Sequence, residues 1–405
     1  MKKNKFILLL FVFIAVFSTQ FFNNVKWKQI TGGIDVYYYV VYPIIMVSAL
    51  PCMISRKYKH EYSREVTAIF LISFLFLITV FVRGRSMSMD LDLPPILFSM
   101  AILSYFILYR YKVPEKSLLL CLTYVGLFLF LIQVFQQLNP SSAVFGIYDP
   151  NEVSFSRNVA ATRNNLYRFL LPTIQLSLVC MFYWWSRFLE KRSSGAIVLF
   201  ICFAISIYLY LTRQVIFSSV IVLAITPFLM TSRKTNKNVK MMTLLFIIIM
   251  FAFAPAIFGE LFEMTKEGGE STENRLTSYL FFGSMIIESP FTFLFGNGTP
   301  PETIVWHEAE LNASDIGIVG EVFHKGIFSF VIYLALLYKL LIKNKTQTPA
   351  FVKLYVLSTF INIIMAFPYI QGYEYFLWAI LLYISEDRKS YSNNKFIQER
   401  HESVQ

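Results

Sequence analysis

Apolar residues run along this chain in long stretches broken by short polar ones, at about 6–22, 34–54, 66–82, 95–111, 117–137, 169–189, 196–211, 214–231, 241–259, 316–340, 350–368 and 374–386. Most of these runs approach the ~20 residues that a helix needs to cross hydrocarbon, where an irregular backbone would leave its N–H and C=O groups unpaired. The pattern predicts an all-α polytopic membrane protein of about twelve transmembrane helices, forming a single integral membrane domain over 1–405. The last run is short, and only Thr212-Arg213 separates the seventh from the eighth. The start, Met1-Lys2-Lys3-Asn4-Lys5 followed by Phe6 to Phe17, resembles a signal peptide but has no clear small-x-small cleavage site. It is expected to be a retained first helix.

Composition sharpens that picture. The chain is 56% hydrophobic and 15% charged, with 42 Phe and 24 Tyr, a balance that a soluble surface would not keep in solution. Its four cysteines, Cys52, Cys121, Cys180 and Cys202, are scattered through apolar runs, with neither a disulfide framework nor a zinc spacing.

Charge sets the orientation. With the amino terminus in the cytoplasm, 25 of the 36 Lys and Arg fall inside and 11 outside, and Lys/Arg bias governs topology. Both termini are then expected to be cytoplasmic and the protein to reside in the cytoplasmic membrane. The net charge of +11 becomes mostly a cytoplasmic collar, and no basic stripe with interleaved aromatics points to nucleic acid. Seven of the external basic residues are arginines: Arg83, Arg85, Arg157, Arg163, Arg168, Arg213 and Arg275. A planar guanidinium matches phosphate oxygens, so an external anion is expected; snorkelling to lipid headgroups is the alternative.

Two external loops are long, about 138–168 and about 260–315. Loops of that length usually carry function. In the second, Glu267-Gly268-Gly269-Glu270 reads as flexible, while Tyr279 to Ile287 is apolar but too short to span and is expected to lie on, or dip into, the membrane surface. Asn274-Arg275-Leu276, Ser289-Pro290, Leu294-Phe295-Gly296-Asn297-Gly298 and Asn312-Ala313-Ser314-Asp315 follow in order, with Gly320 and Gly326 behind them. That series, with Leu211-Thr212-Arg213 and the Arg163 to Arg168 stretch, resembles the large external loop and flanking helices of the bacterial polysaccharide polymerases and O-antigen ligases, the Wzy/WaaL-like family. The motifs are short and cover about 120 residues, whereas the topology matches along the whole chain.

The resemblance implies a GT-C-like fold and a reaction at the outer leaflet. There, a hydroxyl of one lipid-linked oligosaccharide displaces polyprenyl diphosphate from another, with no nucleotide and no cofactor. It also implies partners beyond the polyprenyl-diphosphate-linked substrate and membrane lipids, namely a chain-length regulator and a flippase. Cations at the departing diphosphate stabilise developing charge. Arg213, held in a tight turn at the outer boundary, is the foremost candidate, followed by Arg275, Arg163 and Arg168. Gly296-Asn297-Gly298 is either a phosphate-cradling nest or a tight turn.

A base is needed for the acceptor hydroxyl. His307 in the long loop is the candidate. The His-Asn dipeptide of the ligase branch is missing here, which favours a polymerase over a ligase. Asp315 is either a catalytic carboxylate or a cap for the tenth helix. His324 and Lys325 lie inside the tenth run, where polar groups usually face a cavity unless the helix begins later. Asp90-Leu91-Asp92 suits an ordinary loop, and no metal is expected. A flippase or other transporter is the rival from another class. It would bury charge near the midplane and break helices in pairs.

Overall fold

In the computed structural model the described residues are chiefly 3–18, 36–55, 60–84, 93–140, 174–229, 269–300, 309–364 and 372–386, with a few positions between them. They are mostly helical. In chain order the elements are α1 (Lys3–Ser18), α2 (Tyr42–Ile54), α3 (Ser63–Val82), α4 (Leu93–Met100), α5 (Ser104–Tyr111) and α6 (Glu115–Leu138). A two-stranded hairpin, β1 (Thr162–Arg163) and β2 (Leu166–Tyr167), precedes α7 (Ile174–Lys191), α8 (Ser194–Leu209) and α9 (Arg213–Leu229). Then come α10 (Gly269–Glu288), α11 (Pro290–Phe295), α12 (Gly317–Lys325), α13 (Ile327–Tyr338), α14 (Ala350–Asn362) and α15 (372–386).

These helices overlie every predicted apolar run except 241–259, which lies outside the described residues. Two of them, α3 and α6, are long and apolar enough to cross a membrane; the other apolar helices are shorter. The shortening has local causes. The run at 95–111 is divided by the 3-10 turn Ala101–Leu103, and the run at 316–340 is divided at Gly326. Within the loop at 260–315, α10 takes in Gly269 and Glu270 of the expected flexible stretch, and Glu267-Gly268 lie outside the described residues.

The chain forms two compact units: Met1–Tyr37 with Lys116–Glu270, and Tyr38–Glu115 with Ser271–Gln405. In the first, α6, α7 and α8 close over a small polar seam. The Ser206 hydroxyl donates to Gln133 at 2.6 Å and lies 3.1 Å from Ser177, and the Trp184 indole donates to Thr123 at 3.1 Å. Buried hydroxyls and amides held this way avoid the cost of desolvation without partners.

In the second unit the last helix, α15, is buried at nearly every position, with Trp378, Ile380 and Leu382 fully enclosed. A helix that is apolar all round belongs inside a bundle. Its few polar atoms are paired: the Trp378 indole donates to the Pro368 carbonyl at 3.1 Å and the Tyr383 hydroxyl to that of Val113 at 2.6 Å. A second cluster, Phe282, Ile286, Ala313, Ile316, Val322 and Phe323, packs α10 onto α12. The inward face of the expected surface segment Tyr279 to Ile287 is thus part of a protein core, while Leu280 and Ile287 stay exposed.

Candidate functional site

The second unit gathers its site residues around one short segment, 290–298. Ser289 caps α11, its hydroxyl accepting the Thr292 N–H at 3.2 Å, and Pro290 supplies the fixed φ of a first helical position. At the carboxyl end of α3, the Arg83 N–H closes on the Thr79 carbonyl at 3.1 Å, and Gly84 turns the chain with φ of +64°. The Arg83 guanidinium is thereby brought against α11. Its Nη2 donates to the Thr292 hydroxyl at 2.5 Å, and its carbon lies 5.7 Å from the centre of the Phe291 ring. The Thr79 hydroxyl reaches the Phe295 carbonyl at 3.2 Å, tying the same two elements together one turn back.

Beyond α11 the chain meets the break between α12 and α13. Gly296 and Gly326 both take positive φ, +82° and +77°. A methyl group on Gly296 would stand 2.3 Å from the His324 carbonyl oxygen, and one on Gly326 would stand 2.1 Å from that of Leu294. Two chains cross there backbone on backbone, which only glycine permits. The crossing is sealed by Asn297 N–H to the Phe323 carbonyl at 2.6 Å and Gly298 N–H to the His324 carbonyl at 3.1 Å. The Gly296 N–H goes to Thr292 at 2.8 Å. All three backbone donors of Gly296, Asn297 and Gly298 are therefore occupied, so of its two readings, phosphate nest or tight turn, the segment is the turn, and it braces a helix break.

That turn orients His324. Its Nδ1 lies 2.8 Å from the Gly298 carbonyl oxygen. A carbonyl only accepts, so Nδ1 carries the proton and the neutral ring keeps its lone pair on Nε2. The residue as a whole is half-buried. Beside it, Lys325 is fully inside: Nζ contacts both Glu321 carboxylate oxygens at 3.0 and 3.2 Å and the Tyr375 hydroxyl at 3.1 Å, and Ser329 donates to the same carboxylate. Every member of this quartet is at most 5% exposed. The pair is satisfied within the protein, which is the only condition under which buried charge persists.

Asp315 does not cap the tenth helix. Asn312 caps a 3-10 turn, Ala313–Ile316, instead, its side-chain oxygen accepting the Ser314 N–H at 3.0 Å, while Asp315 is exposed and receives the Asn312 amide at 3.4 Å. The physical reason is that Asp315 lies inside this four-residue turn, which runs directly into α12 and leaves Ile316 at its N-cap with no side-chain bond. Arg275 stands half-exposed on α10 between two anchors. Asn274 donates to Glu310, and the Ser278 hydroxyl accepts the Asn312 N–H at 3.2 Å. One turn on, burial pushes the Tyr279 hydroxyl above its ordinary pKa and the Arg275 charge draws it back.

In the first unit Arg213 is the opening residue of α9. The turn before it is strained. Leu211 is fully buried with φ of +51°, a conformation that costs a non-glycine residue about 1–2 kcal/mol. Thr212 follows, its carbonyl accepting the N–H groups of Val215 and Ile216 at 3.1 Å each. Arg163 lies on β1, opposite Leu166. The hairpin is anchored by Gln137, whose side-chain amide brackets the Tyr167 backbone, accepting its N–H at 2.9 Å and donating to its carbonyl. Arg168 and His307 lie outside the described residues, as do Arg85, Arg157 and Asp90 to Asp92.

The site thus joins Arg83, named in the sequence only as one of seven external arginines, His324, noted as a polar group inside the tenth run but not as a base, and Thr292, which sequence reasoning did not name. Their signal was indirect: an arginine at the end of an apolar run, and the two glycines of Gly296 and Gly326. Among the described residues no group of three or more His, Cys, Asp and Glu could hold a metal ion. Compared with known proteins, the chain matches no family model and no curated sequence.

Proposed function

We propose that the chain is a multi-pass protein of the cytoplasmic membrane that polymerises polyprenyl-diphosphate-linked oligosaccharide repeat units into surface polysaccharide at the outer face. The observation that carries this is His324. It is a half-buried residue whose imidazole proton is fixed on Nδ1 by Gly298, inside the loop-and-helix series that resembles the polymerases. In the reaction proposed, Nε2 takes the proton of an acceptor hydroxyl as its oxygen bonds to the anomeric carbon of the donor. The bond from that carbon to the diphosphate breaks, and its electron pair leaves with the polyprenyl diphosphate. Arg213, Arg275, Arg163 and Arg168 are the candidate cations for that leaving charge, and His307 remains the alternative base.

A flippase is the second reading, favoured by the buried Glu321–Lys325 pair at the helix break of Gly326. Discontinuous helices with internal charge are the transporter pattern. Deletion of the gene followed by gel analysis of surface glycan separates the two. Single attached repeats are expected for a lost polymerase; absence of exposed repeats would favour the flippase, and unattached polymer the ligase. Restoring the gene with His324→Ala is expected to leave single repeats, and full-length glycan from that variant would remove His324 as base.

A further inference from the structure

We propose that Glu321, Ser329 and Tyr375 are positioning residues for His324, holding the bend at Gly326 that aims its ring; this rests on the reading of His324 as base above. Three observations carry it. The first is a hydrogen bond that a straight helix forbids. Glu321, Lys325 and Ser329 are spaced by four, so the sequence reads as one face of one helix. Eight residues of straight helix span about 12 Å, beyond the combined reach of a glutamate and a serine. Ser329 nevertheless donates to the Glu321 carboxylate, because the backbone breaks at Gly326, whose φ is +77°. The bond therefore forms only in the bent chain, and it joins α12 to α13 across the break.

Second, the same bend is tied to the core. Lys325, the last residue of α12, contacts Glu321 at 3.0 Å and the Tyr375 hydroxyl at 3.1 Å. Tyr375 belongs to α15, the helix buried at nearly every position. Ile69, Ile72 and Ser73, from the middle of α3, line the space beside Lys325, Ser329 and Tyr375. Thr79, which meets Phe295, is nearer the Arg83 end of that helix. The quartet thus sits deeper along α3 than the segment 290–298, so it acts through its neighbours rather than on a substrate.

Third, His324 is that neighbour. It immediately precedes Lys325; its carbonyl accepts the Gly298 N–H at 3.1 Å, and its Nδ1 lies 2.8 Å from the Gly298 carbonyl oxygen. The turn at Gly296 to Gly298 grips the end of α12 through His324, and the quartet grips it through Lys325. Rotating that last turn would break one set of bonds or the other, so Nε2 keeps a single direction. Apolar residues of similar volume hold helices together as well as a buried ion pair does, so a pair retained here serves direction rather than stability.

The purified full-length protein is reconstituted in vesicles with a polyprenyl-diphosphate-linked repeat unit, and release of polyprenyl diphosphate is followed against substrate concentration. Ser329→Ala is expected to lower kcat about tenfold with KM within about twofold of wild type, because a misaimed base slows the chemical step without touching bound substrate. Ser329→Thr, which keeps the hydroxyl, should restore the rate. Tyr375→Phe should lower kcat a few-fold. Glu321→Leu/Lys325→Met, which keeps a packed core without the charges, should stay as slow as Ser329→Ala despite recovered thermal stability.

Wild-type kcat in the folded Ser329→Ala protein or in the double variant would overturn the assignment. A loss carried by KM, or one that Ser329→Thr does not restore, would overturn it too. A wild type that releases no polyprenyl diphosphate, or a His324→Ala protein as fast as wild type, would instead bring down the polymerase reading and its base.

Discussion

The two ends of α3 stand about 30 Å apart, the length of its 20 residues, and they treat charge in opposite ways. At the Ser63 end acids and bases are paired with one another. Lys339 meets Glu65 at 2.6 Å and Lys343 meets Glu61 at 3.0 Å, while Glu386 takes the Glu61 N–H at 2.7 Å and the Tyr105 hydroxyl at 2.5 Å. At the other end Arg83 donates to the Thr292 hydroxyl and lies over the Phe291 ring, and the Gly298 carbonyl aims His324. Mutual neutralisation locks helices together and leaves little field for a ligand. A neutral backbone anchor fixes the direction of the His324 ring and leaves its lone pair to act.

The largest effect should come from replacing His324 by Ala, which is expected to abolish polymer while leaving the protein abundant in the membrane. Equal polymer loss from an abundant Lys339→Met protein would erase the contrast between the ends, because that change belongs to the paired end. Next in size, Lys325→Met leaves Glu321 buried and unpaired and should cost about 3–5 kcal/mol of stability, with most of it recovered in Glu321→Leu/Lys325→Met. Thermal unfolding in detergent reads both. A double variant no more stable than the single one would mean that the quartet does more than neutralise itself.

Smaller again, Lys339→Met removes the partner of a Glu65 side chain that is 12% exposed and should cost about 2 kcal/mol, with glycan length per folded molecule unchanged. The smallest effect concerns pH. Burial pushes the pKa of His60 below its ordinary 6.5, with the Glu386 carboxylate partly opposing. The fold therefore binds the neutral ring. Stability is complete above 6.5 and falls as pH drops from there through the lower folded value. His60→Asn should flatten that slope in unfolding curves at pH 5 to 7; an unchanged slope would place the titrating group elsewhere.

Sequence reading located the helices well because each buries an apolar run, and periodicity survives even where a helix is cut. It missed the cut itself. Ile316 to Leu340 reads as one run in spite of Glu321, His324 and Lys325, so the average hides a break whose cause is the close crossing of Gly296, some thirty residues earlier. The Glu321–Lys325 pair was legible as an i,i+4 spacing, but its Tyr375 partner comes from 50 residues away and left no local trace.

Arg83 was similarly hidden. Among seven external arginines nothing in the sequence marks the one that meets Thr292. Of the two readings of Asp315, the cap fails because a 3-10 turn with its own cap, Asn312, stands before the helix and encloses Asp315. At Gly296-Asn297-Gly298 the sequence could not choose between nest and turn for a comparable reason: glycines permit close approach to an anion or to another backbone alike, and here the partner is backbone.

The central claim is tested most directly by reconstituting the purified protein in lipid vesicles with a polyprenyl-diphosphate-linked repeat unit and no nucleotide sugar. The account predicts a ladder of lengthening glycan with one polyprenyl diphosphate released for each linkage formed. Repeat units that cross the bilayer but stay single, with no diphosphate released, would contradict it.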